Sequence, residues 1–77
     1  MLSQQIAVSS RILVNIGLVH ATTGKHELAA QAFSTAIEMD AHHAIAYFQR
    51  GVSRFLLTRY DAASRDFENA LLVSRRQ

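Results

Sequence analysis

A chain of 77 residues can bury one small core, and a globule of that size hides only about 60% of its unfolded surface. With 49% apolar residues, 18% charged residues and no proline, the composition excludes disorder and favours long helices. The absence of cysteine excludes disulfides and thiolate metal sites and fits a reducing compartment, and the formal charge of +2 is modest.

Met1–Ser9 carries Leu2 and Ile6 at i, i+4, enough for one helical turn. The segment reads as a frayed start or as the tail of a preceding helix. Ser9 or Ser10 is then placed to cap the first full helix. Along it Ile12, Leu13, Ile16, Val19 and His20 line one side, with Val14 and Leu18 on another, as in a helix packed on two faces. Its apolar run Ile12–Ala21, interrupted by Asn15, falls short of the roughly 20 residues a bilayer requires. No basic residue precedes Arg11, which argues against a signal peptide, so a soluble, cytoplasmic chain is expected.

Gly24 is expected just past the end of that helix. A second helix is predicted over His26–Met39, burying Leu28, Ala29, Ala32, Phe33, Ala36 and Ile37. Asp40-Ala41-His42-His43 forms a turn, and a third helix covers Ala44–Leu57 with Tyr47, Phe48, Gly51, Val52, Phe55 and Leu56 as its apolar members. After the turn Thr58-Arg59-Tyr60-Asp61, a fourth helix ending near Ser74 buries Ala63, Phe67, Ala70 and Leu71. The six arginines at 50, 54, 59, 65, 75 and 76, interleaved with Asp61, Asp66 and Glu68, read as a solvated face.

Shifting the sequence by 34 places brings Gly17 onto Gly51, Ala29 onto Ala63, Phe33 onto Phe67 and Ala36 onto Ala70. Gly, Ala, Phe and Ala at positions 8, 20, 24 and 27 of a 34-residue unit resemble the tetratricopeptide repeat, a pair of antiparallel helices. The expected fold is an all-α tetratricopeptide-repeat solenoid with two helix-turn-helix repeats, 10–43 and 44–77, and residues 1–9 as an N-terminal remnant. Gly51, lacking a side chain among bulky neighbours, is expected to lie against another backbone. Two uncapped repeats leave sticky ends, so the chain is either a piece of a longer protein or self-associates.

The run Ala44-Ile45-Ala46-Tyr47-Phe48-Gln49-Arg50-Gly51 is more specific. Together with Ser10-Arg11-Ile12, Asn15-Ile16-Gly17 and Asp40-Ala41-His42, it resembles the N-terminal repeats of NADPH oxidase activator subunits. These include the phagocyte activator and the regulators of filamentous fungi, toward which Val19-His20-Ala21-Thr22 and Val52–Leu57 lean. The resemblance implies a non-enzymatic interaction module that binds the GTP form of a Rac-type GTPase through loops along one edge. It also implies association with the oxidase complex, whose membrane-bound catalytic subunit holds the flavin and haem; no cofactor is expected on this chain.

Carried over residue by residue, the implied contacts are Ser10, Asp40, His42 and Arg75. Gln77 stands where the family has asparagine, preceded by Arg76 in place of glycine. The family continues into a hairpin insertion, a fourth repeat and an activating segment, so weak GTPase affinity is expected here. Spacing alone also places residues 10, 42 and 75 about one repeat apart, along one rim. Local roles compete with this reading: Ser10 as a cap, Asp40 as a helix terminator, His42 and His43 as turn residues, and Arg75 against the helix C-terminal dipole.

The alternative is a generic scaffold holding a helical or hydrophobic peptide in its concave groove, lined by Asn15, Phe48, Gln49, Val52 and Phe55. The carboxylate clamp of co-chaperone repeats is missing, since Ile45 and Gln49 stand where that clamp has basic residues. No catalytic set, phosphate loop or nucleic-acid motif is spelled out. His20, His26, His42 and His43 lack metal-ligand spacing.

Overall fold

A computed structural model describes residues 2–76, which form four helices in succession: α1 (Leu2–Thr22), α2 (His26–Met39), α3 (Ala44–Leu56) and α4 (Tyr60–Arg76). No strand occurs among the described residues. α1 pairs with α2 and α3 with α4, and the two hairpins join chiefly through α2 and α3.

The hairpin turns share one hydrogen-bond design. Past α1, Lys25 N–H donates to the His20 carbonyl (2.8 Å) and Gly24 N–H to that of Ala21 (3.1 Å). One period later Arg59 N–H donates to Arg54 (2.8 Å) and Thr58 N–H to Phe55 (2.9 Å). Both are Schellman ends, which require a left-handed residue at the pivot. Gly24 supplies it at φ 77°, whereas in the second hairpin Thr58 does so at φ 63°. For a β-branched residue that conformation costs about 1–2 kcal/mol.

Within each hairpin a glycine admits an aromatic ring. A Cβ on Gly51 would come within 2.6 Å of Phe67 Cε1, and one on Gly17 within 2.8 Å of Phe33 Cδ1. The neighbour of Gly51 is therefore a ring rather than a backbone. The surroundings of the two glycines are equivalent, as the 34-residue shift requires.

Several expectations are corrected. α1 runs unbroken from Leu2, so neither Ser9 nor Ser10 caps it, and residues 2–9 are its first turns. The core is Val14, Ala29, Phe33, Ala36 and Ala46, lying where α3 covers the first hairpin. Among the described residues no further helix provides such cover on the second hairpin; Leu28 and Leu71, predicted as buried, are exposed, as are Phe48, Phe55 and Leu56. Val14 is 4% exposed, while Phe48 one period later is 49% exposed.

The arginines are not all solvated. Asp66 is buried in α4, where it accepts two bonds from Arg50, from Nε (3.0 Å) and Nη2 (2.8 Å), and one from Arg54 Nη1 (3.0 Å). Arg50 Nη1 also reaches Ser34 Oγ on α2 (3.1 Å). One guanidinium thus ties three helices together through charge-assisted bonds.

Candidate functional site

The α2–α3 turn is the most polar concavity that the predicted site residues share. Helix α2 ends at Asp40, whose extended backbone (φ −146°) turns the chain outward while its N–H donates to the Ala36 carbonyl. Asp40 Oδ1 then accepts the His42 N–H at 3.0 Å. This is an Asx turn, the role Asp plays because its carboxylate reaches the backbone two residues on. The turn closes with His43 N–H donating to the Asp40 carbonyl at 3.2 Å, and α3 begins at Ala44.

Ser10 underlies this turn rather than facing solvent. It is wholly buried within α1, and its hydroxyl donates to the Ala36 carbonyl at 3.1 Å. With that proton committed, the 2.7 Å contact to His43 Nδ1 requires the imidazole to donate. In this arrangement the hydrogen of the contact sits on His43 Nδ1. Ser10 pins the turn from below and offers a partner no atom directly.

Asp40, His42 and His43 line one hollow of about 300 Å³ with Arg11, Ala7, Ala44 and Ile45. Arg11 and His43 are the members that sequence reasoning missed. The pairing of a serine with a histidine 33 residues later was the available signal. Arg75 lies apart from the hollow, exposed in the last turn of α4. Because α2 and α4 run the same way in successive hairpins, it sits at the same end of the stack as Asp40. Gln77 lies outside the described residues.

The residues expected to line a peptide groove do not all share one slot. Phe48 lines one open slot between α3 and α4, and Val52 and Phe55 line its continuation. This is the end face of the second hairpin, the counterpart of the surface that α3 covers on the first. Asn15 is exposed and Gln49 half-buried, and neither lines that slot.

Comparison with known proteins agrees with the geometry. Residues 10–43 match the tetratricopeptide-repeat family model. These helical hairpins are tetratricopeptide repeats. Over 66 residues (86% of the chain) the sequence is 44% identical to neutrophil cytosol factor 2 of Mus musculus, covering 13% of that protein. The Homo sapiens protein of the same name is 39% identical over the same length, with 12% covered. NADPH oxidase activator 1 of Rattus norvegicus is 39% identical, with 15% covered. The chain thus spans only about an eighth of the length of the relatives it matches. It is a non-catalytic protein-interaction module, similar to the repeats of oxidase activators. Among the described residues no helix is long and apolar enough to cross a membrane.

Proposed function

We propose that this tetratricopeptide module belongs to a cytoplasmic regulator of an NADPH oxidase and binds a Rac-type GTPase in its GTP form. The observation that carries the reading is its 39–44% identity to neutrophil cytosol factor 2 and NADPH oxidase activator 1 across 66 residues. The rim at the α2–α3 turn is the surface assigned to the GTPase. Asp40 anchors the turn through Oδ1 and has its second oxygen for a donor on the partner. His42 contacts the partner from the tip of the turn, and Arg75 offers a charge-assisted donor from the end of α4. Gln77, outside the described residues, is a further proposed contact by family position alone. Ser10 is a positioning residue that holds His43 and the turn in place. GTP orders the switch loops of such GTPases, and a rim of fixed polar groups favours the ordered form.

Calorimetric titration with a Rac-type GTPase in both nucleotide states tests this. The GTP-loaded form is expected to bind at least tenfold more tightly than the GDP form. Asp40→Asn, which keeps the Asx turn but removes the charge, and Arg75→Ala are each expected to weaken binding about tenfold, roughly 1.4 kcal/mol. Equal affinity for both nucleotide states, or variants that bind like the parent, contradicts the proposal.

A further inference from the structure

The rim assigned above to the GTPase is split between the hairpins. Asp40 and His42 follow α2, while Arg75 stands in the last turn of α4. A partner that grips both needs α2 and α4 at a fixed separation. Yet among the described residues α4 packs on α3 and not on α2. One guanidinium spans the gap. Arg50 of α3 donates through Nη1 to Ser34 Oγ on α2 (3.1 Å), and through Nε and Nη2 to the Asp66 carboxylate on α4 (3.0 and 2.8 Å). Its donors are held in one rigid plane, so bonds along two edges fix direction as well as distance. The side chains of Arg50 and Asp66 are only 16% and 2% exposed, so water competes little for these bonds.

We propose that Arg50 is a positioning residue for partner binding, holding Arg75 at the separation from Asp40 that the partner needs; this rests on the GTPase reading of the rim. Ser34 lies six residues before Asp40, and Asp66 lies nine before Arg75. At 1.5 Å per residue, the clamp is about 9 Å from the turn along α2 and about 14 Å from Arg75 along α4. Both helices run from the clamp toward the rim. The other polar tie across the repeats, Arg59 to Glu27, holds the first turn of α2, away from the rim, through two exposed side chains. Arg54 bonds Asp66 as well, but it joins α3 to α4 alone. It therefore keeps a counter-ion on the buried carboxylate when Arg50 is changed, without restoring the link to α2.

Calorimetric titration of the 77-residue chain with a GTP-loaded Rac-type GTPase tests the role. Arg50→Lys keeps the charge but has no planar fork to span Ser34 and Asp66. It is expected to bind about fivefold more weakly than the parent. In an Arg75→Ala background the same change is expected to cause no further loss, because nothing is left at the end of α4 to be misplaced. A merely structural role would weaken both backgrounds alike. Glu27→Gln, which cuts the tie away from the rim, should bind like the parent. Circular dichroism checks that each variant is folded at the titration temperature. Should Arg50→Lys not fold, Ser34→Ala, which removes the α2 bond and leaves the Asp66 pair whole, decides by the same pattern at about twofold. A folded variant that binds like the parent, or a loss that persists undiminished without Arg75, overturns the positioning role alone. A parent that shows no preference for the GTP form overturns the GTPase reading and this role with it.

Discussion

The first hairpin and the second are built from the same helix pair, yet they are not equally finished. Phe33 is fully buried because α3 covers the α1–α2 seam, while Phe67, in the equivalent place, borders an open slot. The second hairpin compensates with charge: Asp66 and its two arginines have no counterpart in the first, where Ala32 occupies the matching position. Identical repeat residues therefore do different amounts of stabilising according to what lies on top of them.

Truncation of the two phenylalanines measures that difference most sharply. Phe33→Ala should cost about 3–5 kcal/mol in chemical denaturation, as for a sealed core ring. Phe67→Ala should cost only about 2 kcal/mol, since part of the ring already meets solvent. Equal losses would mean that the slot is closed in solution. Removal of Asp66 comes next. Asp66→Ala leaves Arg50 and Arg54 facing a buried site without a counter-ion, and a loss of about 3 kcal/mol is expected. No comparable loss is expected from changing Ala32 to serine.

A smaller effect separates the two turns. Thr58→Gly should raise stability by about 1 kcal/mol by relieving the left-handed threonine, and Gly24→Ala should lower it by a similar amount. The smallest effect belongs to the ion pair bridging the repeats. A hydrogen bond from Arg59 holds the Glu27 carboxyl below its ordinary range, outweighing the desolvation that would raise it. A depressed carboxylate adds stability that is whole above its unfolded-state value and fades as pH falls through the folded-state value. Glu27→Gln should therefore melt slightly lower than the parent near neutrality, the two curves should converge in acid, and added salt should shrink the gap, because both side chains are exposed.

Much of the architecture was legible in the sequence because small residues at fixed spacing are geometric requirements. Gly17 and Gly51 each make room for a ring, and the predicted bounds of α2 match to the residue. What escaped was what depends on covering. Periodicity marks the face of α3 that bears Phe48 and Phe55 as apolar, but it cannot tell whether another helix lies over that face. Ser10 was misread for a related reason: a serine beside an apolar run resembles a cap, and only tertiary contact reveals that its hydroxyl serves Ala36 and His43. Asp66 could have been suspected, since it interrupts the stripe Ala63, Phe67, Ala70 opposite an i, i+4 pair of arginines. The rim residues proposed as contacts were read from family resemblance and remain a proposal, while the hollow that Arg11 and His43 share with Asp40 and His42 needed the fold.

Native-state hydrogen exchange, measured at a concentration where the chain is monomeric, tests most directly whether α3 seals one repeat and leaves the other open. Amides in the middle of α2 should exchange only through global unfolding. Those in the C-terminal half of α4 should exchange at least tenfold faster, through local opening. Protection in α4 equal to that in α2 would contradict the account.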